Sequence, residues 1–252
     1  MAIKSFKRYE MKFLLNKSQY DVLIPRLLKY MNPDENCRLG KNYNIYNIYF
    51  DTADDSVIRH STSKPYYKEK LRLRSYGVIK ADTDTVFLEL KKKIGGVVNK
   101  RRVVMTYGEA QKYLQTGQKP VTDDFVTNQV LKEIDYYLKM NRVYPKVYIN
   151  YTRKAFFGKD NRNFRITFDT DITTRRYDLS LDKGSYGERL LESDKYLMEV
   201  KILGAMPLWL TQIFSELQIY KASFSKYGTE YKNYCIKKIN NNDQEIRREE
   251  IC

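Results

Sequence analysis

Residues 67–102 hold eleven Lys or Arg against four Asp or Glu, nearly half of the chain's formal excess of +15 in a seventh of its length. Extended from Lys68, this stretch puts Lys68, Lys70, Arg72 and Arg74 on one face and Leu71 and Leu73 on the other, because successive side chains of a strand alternate. The run Val86 to Lys93 repeats the design, with Glu89, Lys91 and Lys93 opposite Leu88 and Leu90. Gly95-Gly96 then reads as a hairpin turn into a strand on which Lys100 and Arg102 share a face. Such a face is either the wet side of an ordinary antiparallel sheet or a surface built to meet a polyanion, since like charges on facing strands repel.

The same two-faced pattern recurs along the chain. A strand over residues 3–15 sets Arg8, Glu10 and Lys12 against Tyr9, Met11 and Phe13. Lys146 to Phe157 places Tyr151 and Arg153 together. Phe164 to Thr170 sets Arg165, Thr167 and Asp169 against Phe164, Ile166 and Phe168, and Tyr196 to Ile202 sets Glu199 and Lys201 against Met198, Val200 and Ile202. Residues 43–52, YNIYNIYFDT, read as a further strand. Helical spacing is found in Tyr20, Leu23, Ile24, Leu27, Leu28 and Met31, with Ser18 and Asp21 as a capping signal and Pro25 as a kink or a delayed start. Short helices are expected through Val57 and Ile58, over Tyr107 to Gln115, and around Leu210, Ile213, Phe214 and Leu217. A longer amphipathic helix spans residues 123–140. Residues 32–42 read as a polar loop, residues 182–194 as a mobile loop, and the polar stretch from Asn240 as a frayed tail.

The 252 residues, with no low-complexity linker and no fixed repeat, suit a single domain. Cys37, Cys235 and Cys252 are widely spaced and form no CxxC pair, which speaks against a disulfide framework or a zinc site and fits a reducing cytoplasm. The N-terminal residues lack the apolar core of a signal peptide, and the longest uncharged run, Ile202 to Ser215, is too short to span a bilayer. The single histidine, His60, is expected on the surface of its short helix, so chemistry built on imidazole is disfavoured.

About seven or eight strands with one apolar and one charged face, and helices with single apolar stripes, predict an α+β fold: an antiparallel β-barrel with helices packed outside. Its lumen would gather Lys12, Arg72, Arg74, Lys91, Lys100, Arg102, Arg153, Arg165 and Lys201. Desolvating unpaired cations costs several kcal/mol each, so that lumen must be wet and must hold anions. A linear chain of phosphates fits Arg forks and Lys point charges.

The motifs FKRYEMKF, YFDT (49–52), LRLR (71–74), LELK (88–91), KRR (100–102), YTRKAF (151–156), RITFD (165–169), MEVK (198–201) and FSKY (224–227) resemble, in this order, the VTC (vacuolar transporter chaperone) catalytic domain. That domain is a polyphosphate polymerase of the triphosphate tunnel metalloenzyme, or CYTH-like, superfamily. The resemblance covers roughly residues 4–236. It implies a tunnel in which ATP gives its γ-phosphate to a growing inorganic polyphosphate with the help of Mn²⁺ or Mg²⁺. It assigns Arg72, Arg74, Lys91, Arg153 and Arg165 to catalysis, and Lys12, Lys100, Arg102, Tyr151, Lys201, Ser225 and Lys226 to substrate binding. Glu199 takes the metal position. Glu10 and Glu89 point inward by parity, each as a second ligand or as an ion-pair partner for nearby arginines.

The hydrolytic members of the superfamily carry Glu-x-Glu-x-Lys in the first strand, whereas Arg8-Tyr9-Glu10-Met11-Lys12 begins that signature with a cation. This departure favours the polymerase over a triphosphatase or short-polyphosphate hydrolase, with a non-catalytic polyanion-binding module as the third reading. A closed tunnel speaks against nucleic acid as partner. The chain carries neither the SPX domain nor the membrane segment of eukaryotic VTC assemblies, which leaves room for a separate membrane partner.

Overall fold

The computed structural model describes residues 8–249. The strand expected over residues 3–15 is seen from residue 8 as β1 (Arg8–Asn16); residues 3–7, with Phe6 and Lys7 of the first motif, lie outside the described residues. It is followed by α1 (Lys17–Leu27), β2 (Met31–Pro33), a 3-10 turn (Glu35–Gly40), β3 (Tyr43–Asp51), α2 (Ser56–Thr62), β4 (Tyr67–Ser75), β5 (Thr85–Ile94) and β6 (Val97–Thr106). The second half holds α3 (Tyr107–Thr116), α4 (Phe125–Asn141), β7 (Tyr144–Gly158), β8 (Arg165–Arg175), β9 (Glu188–Arg189), β10 (Lys195–Leu203), α5 (Leu208–Glu216) and α6 (Lys226–Glu249).

Eight strands form one antiparallel path in the order β1-β10-β8-β7-β3-β4-β5-β6, with the short β2 on β7 and β9 on β8. The path curls into a tunnel but does not close. Among the described residues no hydrogen-bonded ladder joins β1 to β6, so the expected barrel is an open curl. The seam is crossed by side chains instead: Lys91 Nζ on β5 lies 3.8 Å from Glu10 Oε2 on β1.

The alternation accounts for the packing. The outward Leu71, Leu73, Leu88, Leu90, Val103 and Met105 pack with Ala110 and Tyr113 of α3 and Val130, Leu131, Ile134 and Tyr137 of α4. Phe13, Leu15, Ile166, Phe168, Met198 and Val200 pack under Leu23 and Leu27 of α1 and Leu210, Ile213 and Phe214 of α5. Two helices break this rule. Ile58 of α2 and Tyr227 of α6 pack with Ile45, Val147, Ile149, Tyr151 and Leu197, which share the parity of the charged lumen residues. These two helices therefore sit against the inner face and cover one end of the curl.

Local differences from the sequence expectation have simple causes. The cap of α1 is Asn16 rather than Ser18 or Asp21: its Oδ1 accepts from Gln19 N at 2.8 Å while Gln19 Oε1 accepts from Asn16 N at 3.0 Å, a reciprocal box. Pro25 sits in the last turn and the helix stops at Leu27, so Met31 pairs with β7 instead of extending α1. Residues 182–194 contain β9, and the backbone of α6 is helical to Glu249, past the expected fraying at Asn240; residues 250–252 of that tail lie outside the described residues.

The end of β3 ties this cover to the sheet. Asp51, fully buried, accepts hydrogen bonds from Val57 N and Ile58 N, both at 2.9 Å, and so caps α2 from the strand. Tyr227 Oη donates to Asp51 Oδ2 at 2.6 Å, which fastens α6 to the same carboxylate. Asp51→Ala leaves two helix amides and one phenol without a partner, and a loss of about 2–3 kcal/mol is expected. Urea unfolding checks it; a loss below about 0.5 kcal/mol would mean that water replaces the carboxylate there.

Candidate functional site

The curl encloses a cavity of about 680 Å³ onto which fifteen Lys or Arg but only two Glu project. Of the residues singled out from sequence, Glu10, Lys12, Arg72, Arg74, Lys91, Lys100, Arg102, Tyr151, Arg153, Arg165, Glu199, Lys201, Ser225 and Lys226 line it. Glu89 does not; it lies behind the wall, wholly buried.

Two buried carboxylates organise the cations. On β5, Glu89 stands directly across from Arg72 of β4 on one side and Arg102 of β6 on the other. Its Oε2 accepts from Arg72 Nε at 2.6 Å, its Oε1 pairs with Lys100 Nζ at 2.5 Å and also accepts from Arg102, and Arg74 approaches to 4.0 Å. On β8, Asp169 faces Arg153 of β7 in register and accepts both arms of its fork, at 2.6 and 2.7 Å. Lys226, from the first turn of α6, reaches the same carboxylate at 2.5 Å. Burial by itself would raise both carboxyls. The cations outweigh it, Arg72, Arg74 and Lys100 at Glu89 and Arg153 and Lys226 at Asp169, so both are held below the usual carboxylate range. Asp169 was legible as acidic and inward, but nothing in its spacing marked it as the anchor of two site residues.

The two carboxylates that do face the cavity are held differently. Burial would raise Glu199, but Lys201, Lys226, Lys12 and Arg153 hold it well below the ordinary range. Their nitrogens stand off at 3.1, 3.6, 3.5 and 3.9 Å. Glu10 has Lys91 and Lys12 at 3.8 and 3.9 Å. Its pKa is also lowered: burial and the Glu199 charge oppose ionisation, and Lys91, Lys201 and Lys12 win. Both groups are thus ionised hard-oxygen donors with loosely held oxygens, a set that suits Mg²⁺ or Mn²⁺ when substrate oxygens and water complete the shell. Among the described residues no three His, Cys, Asp or Glu gather into a site that would hold an ion alone.

The remaining wall is built for grip and for positioning. Arg74 donates through Nε to Asn47 Oδ1 at 2.9 Å and through Nη2 to Tyr151 Oη at 3.2 Å. Burial would raise the Tyr151 phenol, but Arg74, Arg153 and Lys226 around it bring it below the usual phenol range. Arg165 donates to Tyr43 Oη at 3.2 Å and leaves its Nε without a partner. Ser225 and Lys226 divide two roles: Ser225 Oγ accepts from Gly228 N at 3.2 Å and caps α6, while Lys226 enters the site. Lys70, on the expected cationic face but outside the assigned set, also lines the cavity. Burial first, then Lys68, Lys91 and Lys12, push it down to about 7. His60 is exposed on α2, with Nε2 3.0 Å from Tyr67 O and away from this wall.

A curled antiparallel sheet with a cationic lumen, cations locked by carboxylates behind the wall and two loosely held carboxylates facing in, defines the triphosphate-tunnel class. The VTC domain model matches residues 7–234, and the chain belongs to that family. The structure of a candidate adenylate cyclase from Bacillus halodurans superposes with a TM-score of 0.52 at 14% identity, covering 87% of this chain and 95% of that one, which shows a shared fold. A second candidate adenylate cyclase, from Vibrio parahaemolyticus, gives 0.45 at 12% identity over 90% and 99% of the two chains. A Mimivirus capping enzyme triphosphatase gives 0.37 at 10% identity over 86% and 90%. Among curated protein sequences none matches significantly. No helix among the described residues is long and apolar enough to cross a membrane.

Glu89→Gln leaves Arg72 and Arg74 inside the wall, and the more exposed Lys100 and Arg102, without their counter-charge, so a loss of about 2–3 kcal/mol is expected. Inorganic tripolyphosphate should raise the variant's melting temperature more than the parent's; equal stability without ligand would show that Glu89 is not the counter-ion the wall needs. A second outcome concerns pH. Lys70 titrates near 7 in the fold against 10.5 in the unfolded chain, so from about pH 7 to 10 the unfolded chain carries the extra proton. Ligand-free stability therefore rises across that window. Lys68 and Lys201, also pushed down by burial, act in the same direction. Lys70→Met should flatten the slope measured by urea unfolding at pH 7 and 9.5, and a parent whose stability falls over that range would contradict the reading.

Proposed function

We propose that this chain is a polyphosphate polymerase that transfers the γ-phosphate of ATP to a growing inorganic polyphosphate in its tunnel, with Mn²⁺ or Mg²⁺. The observation that carries this reading is the charge surplus of the cavity. Fifteen cations face it against two carboxylates, and Glu89 and Asp169 behind the wall offset only two more. A single nucleotide triphosphate with its metal is too small a counter-charge for that surplus. A polyanion running the length of the tunnel matches it. The VTC family membership favours the same assignment.

The chemistry asks for positioning and charge stabilisation rather than a side-chain nucleophile, because phosphoryl transfer runs between substrate oxygens. Arg72, Arg74, Lys91, Arg153 and Arg165 would fix the triphosphate oxygens, with the forks of Arg72 and Arg153 aimed by Glu89 and Asp169. Arg74, Tyr151 and Lys226 would surround the transferring phosphoryl group. Lys12, Lys100, Arg102, Lys201 and Ser225 would complete the wall. Glu199, with Glu10 as a second ligand, would hold the divalent ion. A bound ion of this kind supplies charge neutralisation on phosphoryl oxygens and orients them for in-line attack.

Purified protein incubated with ATP and Mn²⁺ or Mg²⁺, with ADP, free phosphate and chain length followed by gel electrophoresis, tests the proposal. ADP together with a ladder of phosphate chains is the expected result. Arg74→Ala and Glu199→Ala should each lower the rate by about 10²-fold or more. Free phosphate without a ladder would identify a hydrolase. Saturable tripolyphosphate binding without turnover would leave a polyanion-binding module.

A further inference from the structure

Lys70 is set among cations with nothing to neutralise it. It projects into the cavity from the middle of β4, and among the described residues its Nζ makes no hydrogen bond and no ion pair. It faces the ring of Tyr227 on α6, whose centre lies 5.6 Å away. The charged groups that act on it come from four strands. Lys68 precedes it on the same face of β4, Lys91 stands directly across on β5, Lys12 acts from β1, and Asp51 ends β3. The neighbouring lysines have partners of their own: Lys68 donates to Ser61 O and Lys12 to Phe224 O, both at 2.9 Å, and Lys91 has Glu10 at 3.8 Å. Asp51 is spoken for as well, because its oxygens accept from two α2 amides and from Tyr227. An ammonium in this position is poorly solvated and is repelled from three strands, so it gives up its proton readily. That environment is the cause of its descent to about 7. Arg72 and Arg74 follow on the same face, about 6.7 and 13 Å further along the strand, and Arg72 is already aimed by Glu89 at 2.6 Å. A nucleophilic amine therefore stands one strand step from a built phosphate grip.

We propose that Lys70 is a covalent modification site for small aldehydes that carry a phosphate monoester, its amine forming an imine with the carbonyl while Arg72 holds the phosphate. The Nζ lone pair attacks the carbonyl carbon. Both Nζ hydrogens leave with the carbonyl oxygen as one water, and a C=N bond replaces C=O, with nothing oxidised or reduced. Two features select this class of ligand. The carbonyl needs a neutral amine, which the unpaired position of Lys70 supplies, and the phosphate needs a planar fork at a fixed place, which Arg72 supplies. The adduct occupies the start of the arginine wall, so it and a bound triphosphate exclude each other. Hydrolysis of the imine restores the amine, which makes the site a reversible block on the cavity. This assignment holds whether or not the chain makes polymer.

Pyridoxal 5′-phosphate is the probe, added to the full chain in slight excess and followed by the visible absorbance of its imine. Borohydride then reduces the imine to a stable secondary amine, and peptide mass analysis locates it. The expected result is a single phosphopyridoxyl group on Lys70. Tripolyphosphate should protect against it, and pyridoxal, which lacks the phosphate, should react at least about tenfold more slowly. The rate should rise through about pH 7 and level off well below 10.5, the ordinary value for lysine. Lys70→Arg, which keeps a cation but no nucleophile, should abolish the rapid phase, and its melting temperature shows whether it folds. Mapping of the parent decides the matter even where that variant does not. Label on Lys64, Lys93 or Lys232 in place of Lys70, label spread over many lysines, or a rate indifferent to tripolyphosphate would each overturn the assignment.

Discussion

The structure depends on two carboxylates that never meet the cavity. Fifteen Lys and Arg around one lumen repel one another, and Glu89 and Asp169 offset part of that repulsion from behind the wall. Each works through register: Glu89 has arginines directly across on both neighbouring strands, and Asp169 has Arg153 across on one and Lys226 descending from α6. A charge pair of this depth adds little net stability compared with an apolar pair, but its loss on one side is expensive. Its return is geometric. The guanidinium planes are aimed before substrate arrives, which is the condition under which electrostatic stabilisation needs no reorganisation during reaction.

A division of labour between carboxylates follows from depth alone. Glu89 and Glu199 both sit on a lumen-facing register, and period-2 alternation treats them alike. Glu89 is drawn behind the wall because arginines flank it on both sides and use all of its oxygens. Glu199 stands opposite Lys12 and Thr167, and its four cationic neighbours stop at 3.1 to 3.9 Å, which leaves its oxygens less tightly held. Parity therefore identifies the inward set, while ion-pair geometry separates wall supports from groups free to share a cation with substrate.

This explains how far the sequence could be read. Alternation of charged and apolar residues along the strands placed twelve of the thirteen strand-borne candidate side chains on one cavity, because a one-residue error in register would have turned each strand's apolar face to water; Ser225 and Lys226 rest on the FSKY resemblance alone. Depth was not legible, since burial of Glu89 and Asp169 depends on which strands become neighbours. The order β1-β10-β8-β7-β3-β4-β5-β6 is a long-range property. Closure was not legible either: whether the last strands zip or merely approach depends on curl, and here the seam is spanned by the Lys91–Glu10 pair. The helices on the inner face escaped for a related reason. Ile45, Val147 and Ile149 are apolar on the charged parity, a local break in the pattern that in hindsight marks where α2 and α6 dock.

That docking links the cover of the tunnel to its chemistry. Asp51 ends β3, caps α2 and accepts from Tyr227, while the residue before Tyr227 carries its ammonium to Asp169. One turn of α6 thus joins the outer brace to the cationic wall. Arg176 adds a second fastening, donating to Glu230 at 2.7 Å and to Asp55 at 3.1 Å, and so binds α6 to the start of α2. A roof held by apolar contacts alone could slide over the inner face of the sheet. Directed hydrogen bonds to a buried carboxylate give the roof one position, and Lys226 inherits that position beside Asp169 and Glu199.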